Sequence, residues 1–323
     1  MKMNSSKVFF LSFMIVGVMI CLCSNNWLFI WAGLELSLIT LLPIMQTKLM
    51  ITSESMMKYF LVQSISSGLL IIGLMIILTN TMSNYFIMTV AILMKMAVAP
   101  FHSWLISVIE PLQPLAMMLM LTVSKISPLM ILSFTQISIS VIIFITLTTG
   151  SIMGLNQSAV KKLIAYSSIF NMGLIIMAIK NNFIWSFYLL VYSMLILMLI
   201  WILNKMNSIY TNQMILNEEL TVNKYALWIN LLSLGGMPPL IGFSIKLVII
   251  EFSISKMMIM NLLVMILMST VVMFFYLRMS YLTLMFYSYS PKWNMHNTKK
   301  ISSLIIILNL ILTPFILLIK TLN

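Results

Sequence analysis

The chain has 323 residues, 62% of them apolar and 7% charged, with 18 Lys and Arg against 6 acidic residues, no Asp, and a formal net charge of +12. Soluble domains run about 45–50% apolar and about 25% charged, so this is the composition of a membrane protein. It leaves no polar stretch for a separate nucleotide- or flavin-binding module. It does not read as a nucleic-acid surface either, because the lysines sit at the ends of apolar runs or inside them.

Apolar runs fall at about 8–23, 25–46, 55–79, 84–102, 113–133, 136–155, 159–179, 183–204, 224–251, 258–285 and 301–320. At roughly 20 residues per span these predict about eleven transmembrane helices, in one polytopic domain over 1–323. Continuous runs, rather than alternating ones, exclude a β-barrel. The first 23 residues imitate a secretory signal, with Lys2 and Lys7 before an apolar stretch. They lead straight into a second run, which predicts a retained first helix. Cys21 and Cys23 lie in that helix and read as two small apolar residues. The 34 methionines fit the compositional bias of an AT-rich organellar genome.

Loop lysines predict the orientation. The N-terminal side carries Lys2, Lys7, Lys48, Lys161, Lys162, Lys205, Lys224, Lys292, Lys299 and Lys300, and the other side only Lys180, Lys256 and Lys320. The excess marks the side of insertion, with the C-terminus opposite.

A few charges fall inside the runs: Glu35, Lys95, Lys125, Lys246 and Glu251. Each central charge costs roughly 2.5–3.5 kcal/mol on insertion scales, so Glu35, Lys95, Lys125 and Lys246 together cost on the order of 10–14 kcal/mol. Lysines can snorkel toward an interface; Glu35, mid-run and short, cannot. Lys58, four residues after Glu54, is the lysine best placed to do so. Two runs are also interrupted, by Ala99-Pro100 and by Gly235-Gly236 with Pro238-Pro239. Broken helices in two halves of a chain point to a transport site, although no clear sequence identity links these halves.

The chemistry suits protons. Burial favours a lysine's neutral amine, while a nearby carboxylate favours its charged form, so a Glu–Lys–Lys series can switch. Lys95 and Lys246 lie near the interruptions and read as the switching members, with Lys125 carrying protons between them. Carboxylate clusters for Na⁺ or Ca²⁺ are absent from the sequence. Two histidines, His102 and His296, cannot supply multiple haem ligands, and there is no cysteine cluster or serine–histidine–acid set. His102, just after one break, can join the relay or serve as an interfacial histidine.

Several segments then become familiar: Ser24-Asn-Asn-Trp-Leu, Gly33-Leu-Glu-Leu, Lys58-Tyr-Phe-Leu-Val-Gln, Lys95 through Ala99-Pro-Phe-His-Ser-Trp104, Gly154-Leu-Asn-Gln, Lys162-Leu-Ile-Ala-Tyr-Ser-Ser168, Leu234-Gly-Gly-Met-Pro-Pro-Leu-Ile-Gly-Phe243 and Phe274-Phe-Tyr-Leu-Arg278. In this order, over essentially the whole chain, they resemble the antiporter-like membrane-arm subunits of respiratory complex I. Within these the likeness is to the animal form of the mitochondrial NADH dehydrogenase (ubiquinone) subunit 2 family.

The resemblance implies an all-α antiporter-like fold with two interrupted helices. It also implies proton translocation through Glu35, Lys95, Lys125 and Lys246. This chain would bind no cofactor or metal; NADH, FMN, iron–sulfur clusters and ubiquinone would belong to partner subunits. It implies a multi-pass protein of the mitochondrial inner membrane, with the N-terminus in the matrix and the C-terminus in the intermembrane space. Its partners would be other membrane-arm and accessory subunits, with phospholipids. One departure stands out: Ser244-Ile245 replace the family's usual Leu-Pro before Lys246, which predicts looser geometry there. Two readings compete: a stand-alone cation/proton antiporter, and a structural spacer of the membrane arm.

Overall fold

In the computed structural model the described residues are 5–78, 85–135, 139–206, 208–216, 221–285 and 300–321. They are helical almost throughout, with one isolated antiparallel bridge between Ala159 and Tyr210. The chain divides into two compact units, Met1–Thr146 and Leu147–Asn323.

The first unit holds α1 (Ser5–Cys23), α2 (Trp27–Met45), α3 (Met50–Leu78), α4 (Tyr85–Met96), α5 (Ser103–Ile109), α6 (Pro114–Leu121) and α7 (Val123–Phe134), and α8 (Ser140–Leu155) starts in it. Small residues bring α1 and α2 into backbone contact. A Cβ added at Gly33 would lie 2.7 Å from the Gly17 carbonyl oxygen and 2.7 Å from Cys21 Sγ. Lipid offers no hydrophobic drive for helix association, so such close approach supplies it instead. Cys21 is buried and its thiol donates to the Ile30 carbonyl at 3.2 Å, while Cys23 is exposed. The opposite side of α1 leaves Phe9, Phe13, Val16 and Met19 exposed, as a helix facing lipid does.

The second unit contains α9 (Val160–Met177), α10 (Asn182–Met206), α11 (Gln213–Leu216), α12 (Thr221–Gly235), α13 (Ile241–Ser255), α14 (Ile259–Met285) and α15 (Lys300–Thr321). α9 is its central helix, buried on every side from Leu163 to Ile179. It nevertheless carries Ser167, Ser168 and Asn171. The sole arginine, Arg278, closes the end of α8 through Nη1 to the Leu155 carbonyl at 2.9 Å and Nη2 to the Gln157 carbonyl at 3.1 Å.

Among the described residues seven helical stretches are long and apolar enough to cross a membrane: α1, α2, α3, α9, α10, α14, and α6 with α7 taken together. The expected eleven therefore do not appear as eleven continuous spans. Helices such as α4, of 12 residues, and α8, of 16, rise about 18 and 24 Å at 1.5 Å per residue, short of a hydrocarbon core of about 30 Å. Two interruptions fall where the prolines predict them, between α4 and α5 and between α12 and α13. A third, at Thr122 between α6 and α7, was not expected, because no Gly-Pro pair marks it. Two hydroxyls bond backward across it, a pattern that bends helices: Thr122 Oγ1 donates to Met118 O at 2.8 Å, beside the Thr122 N–H, and Ser124 Oγ to Met120 O at 2.6 Å. Pro128 also cannot donate to the Ser124 carbonyl. The expected loosening at Ser244-Ile245 is not observed. Lys246 sits inside regular α13, and Ser244 Oγ donates to Ile241 O at 2.7 Å. His296, Lys292 and Lys299 lie outside the described residues.

Candidate functional site: lysines on the ends of broken helices

The end of α4 is built as a cap with unusual partners. Val98 N–H reaches back to Leu93 O and Ala97 N–H to Met94 O, the paired bonds of a Schellman turn. Ala97 takes the left-handed conformation, φ 57°, that this turn needs and that glycine normally supplies. The last three carbonyls of α4 point onward and are met by side chains from three other helices. Trp104 Nε1 of α5 donates to Met94 O at 3.1 Å, Gln63 Nε2 of α3 to Lys95 O at 3.4 Å, and Lys125 Nζ of α7 to Met96 O. A lysine ammonium at a helix C-terminus answers both the orphan carbonyl and the negative end of the dipole. Lys125 is only 2% exposed, and the Trp104 ring lies 5.8 Å from its Nζ.

Lys95, 5% exposed, is the next-to-last residue of α4. It opens on a cavity of about 20 Å³, room for a water or two, lined also by Ser37, Tyr59, Gln63, Trp104 and Ser124. Glu35 on α2 acts on Lys95 electrostatically, yet no ion pair within 4.0 Å joins them among the described residues. Glu35 Oε1 is buried and accepts no hydrogen bond. A carboxylate and an amine held near each other but unpaired can gain or lose a proton without first breaking a bridge.

The second unit repeats the device on one broken helix. Met237 N–H bonds to Leu232 O at 3.1 Å and Gly236 N–H to Ser233 O at 3.1 Å, with Gly236 at φ 89°. The residue before the left-handed one is Gly235, as Met96 is in α4. Its carbonyl accepts from Lys246 Nζ at 2.5 Å. Gly236 is needed twice: its φ lies in the left-handed region, and a Cβ there would meet Lys246 Nζ at 2.8 Å and Cδ at 2.9 Å. Lys246 is 7% exposed and its Nζ lies 5.9 Å from the Phe170 ring. A cavity of about 10 Å³ adjoins it, lined by Asn171, Tyr188, Tyr192, Ser233 and Gly242 among others.

Of the residues read from sequence, Glu35, Lys95 and Lys125 thus share the first unit's polar interior, and Lys246 sits in that of the second. Lys58 does not join them: it pairs with Glu54 at 2.6 Å on an exposed face of α3. Glu251 is exposed, five residues beyond Lys246. His102 precedes α5 and its buried Nδ1 has no hydrogen-bond partner. Sequence reasoning did not single out Gln63, Trp104, Asn171, Tyr188 or Tyr192. The available signal was polar residues at i, i+4 spacing inside apolar runs: Tyr59 with Gln63, Ser167 with Asn171, Tyr188 with Tyr192.

Residues 24–274 match the family described as NADH:quinone oxidoreductase/Mrp antiporter, transmembrane. The chain is 35% identical over 327 residues to NADH-ubiquinone oxidoreductase chain 2 of Anopheles gambiae, covering 96% of each. It is 33% identical to the same chain of Locusta migratoria, covering 90% of this chain and 89% of that one. Its fold is similar to a chain of respiratory complex I from Thermus thermophilus, with TM-score 0.85 at 20% identity, covering 97% of this chain and 79% of that one. A family match over residues 24–274 and 33–35% identity along nearly the whole chain show that it belongs to the NADH-ubiquinone oxidoreductase chain 2 family.

Proposed function

We propose that the chain is a proton-translocating membrane subunit of NADH:ubiquinone oxidoreductase, with Glu35, Lys95, Lys125 and Lys246 as its proton-carrying groups. NADH oxidation and quinone reduction belong to other subunits of that complex, and so do the flavin, iron–sulfur and quinone sites. The observation that carries the reading is the pair of lysine-capped helix breaks. Lys125 on Met96 O and Lys246 on Gly235 O each hold a cation on a helix end, and cavities with room for water lie beside Lys95 and Lys246. A fixed channel has no use for neutralisable amines in such places, whereas a relay that alternately holds and releases a proton does. A structural spacer would be better served by well-packed apolar residues.

Glu35→Gln keeps the shape of the side chain and removes its charge. The assembled complex should form at normal levels. Its coupled NADH:quinone turnover should fall about tenfold, a change of about 1.4 kcal/mol in the barrier. Unchanged turnover and unchanged proton translocation in reconstituted Glu35→Gln complex would remove Glu35 from the relay.

The excess of loop lysines on the N-terminal side supports a membrane orientation with that side in the matrix and the C-terminus in the intermembrane space. A protease added to intact inner membranes from the intermembrane side should then spare the 286–300 segment. Cleavage there from that side reverses the orientation.

A further inference from the structure

The ammonium of Lys246 has three N–H donors. The Gly235 carbonyl takes one. Lys246 also lines a small cavity whose remaining polar lining comes from Asn171, Ser233 and two tyrosines of α10. Their hydrogen bonds can be counted. Ser233 Oγ donates to Asn230 O at 2.8 Å, which spends its proton. Tyr188 donates to Asn171 Oδ1 at 2.9 Å, which fixes the amide's orientation. Tyr192 differs. Its ring is buried to 4% exposure, it lines the cavity, and its hydroxyl sits beside Asn171 and Ser168 without completing a hydrogen bond of good geometry to either. A buried hydroxyl without a full hydrogen bond bears a desolvation cost that a bound water relieves. A cavity of about 10 Å³ has room for about one water, and a buried water needs two to four polar partners. Lys246 Nζ, Tyr192 Oη and the Asn171 side chain provide them.

We propose that Tyr192 is a positioning residue of the proton path: its hydroxyl, with Asn171, holds one water against Lys246 Nζ, and that water receives the lysine's proton. In the step an N–H bond of the ammonium breaks and its electron pair stays on Nζ; an O–H bond forms on the water as one of the water's own O–H bonds breaks toward the next hydrogen-bonded oxygen of the path, so the positive charge leaves the site with that second proton. The Gly235 carbonyl cannot take that place, because it carries no proton of its own to pass onward, whereas a water accepts one proton and releases another. Tyr188 prepares the site by fixing Asn171, and Tyr192 completes it. The proposal rests on Lys246 being a member of the relay.

The test compares Tyr192→Phe with Lys246→Met in the assembled, reconstituted complex, reading protons translocated per electron, together with infrared difference spectra between energised and de-energised membranes. Tyr192→Phe keeps the ring and should assemble. It should lower the proton-to-electron ratio in the same direction as Lys246→Met, and it should delete a tyrosine C–O stretching band that the native complex shows. A merely structural role for the ring would leave both unchanged. If Lys246→Met pumps at the native ratio, the relay reading itself fails. If Lys246→Met is impaired while Tyr192→Phe keeps the native ratio and band, the relay stands and Tyr192 is not part of it. Should Tyr192→Phe fail to assemble, a high-resolution map of the native complex decides: density within hydrogen-bond distance of both Lys246 Nζ and Tyr192 Oη supports the proposal, and a dry cavity overturns it.

Discussion

Gly242→Ala should leave little or no assembled complex. A Cβ at residue 242 would stand 1.6 Å from the Ser233 carbonyl oxygen and 2.7 Å from the Ser233 carbonyl carbon. Both atoms belong to the backbone of α12, so no side-chain rotation relieves the clash. Gly242 opens α13 one turn before Lys246, and its contact with α12 sets the distance over which Lys246 reaches the Gly235 carbonyl. Relief requires α13 to move away from α12, which opens the unit's interior and withdraws the lysine from its cap together. Overpacking of a well-packed site costs about 1–3 kcal/mol, and a clash against fixed backbone belongs at or beyond the upper end. Quantifying the assembled complex by native electrophoresis checks the expectation. Normal levels of active complex with Gly242→Ala would show that the two helices are not packed this closely.

Lys246→Arg should be nearly as damaging to coupled turnover as Lys246→Met, even though it keeps the positive charge. Arginine holds its proton under all physiological conditions, so it can occupy the cap on Gly235 but cannot release what it carries. The substitution also fits poorly, because the lysine stem passes where a Cβ of residue 236 would be and the site is shaped to a slender chain. Driving a proton against about 150–200 mV costs roughly 3.5–4.6 kcal/mol, from about 2.3 kcal/mol per 100 mV. A group that does this work must change its proton affinity during the cycle. Steady-state NADH:quinone turnover of assembled Lys246→Arg complex should fall at least about tenfold. Near-native turnover would mean that the charge alone matters.

Some of this was legible in the sequence for a clear physical reason. A chain with so few charges exposes the buried ones: Glu35, Lys95, Lys125 and Lys246 stand out because an ionised group in an apolar run is expensive. Pro100 and the Pro238-Pro239 pair mark their helix breaks because proline cannot continue the hydrogen-bond ladder. What was hidden depends on distant pairing. The carbonyls that receive Lys125 and Lys246 are 29 and 11 residues away, and nothing local at Lys125 announces Met96. The break at Thr122 was hidden because its local marks, two hydroxyls bonding backward, also occur where threonine and serine sit in unbroken helices. Ala97 conceals a left-handed turn behind a residue that favours helix. Tyr188 and Tyr192 read as ordinary members of an apolar run, since hydropathy does not say which face of α10 meets α9 and which meets lipid. The division into α12 and α13 followed from the glycines and prolines, but the role of Gly242 needed the structure, because close approach of two backbones leaves no sequence signal beyond the glycine itself.

The central claim is that buried lysines release and take up protons during turnover. It is tested most directly by the ratio of protons translocated to electrons transferred in sealed vesicles containing assembled complex with Lys246→Arg. The account predicts a ratio below that of the native complex at matched electron flow. A native ratio in that variant would contradict it and reduce Lys246 to a fixed positive charge on the end of a helix.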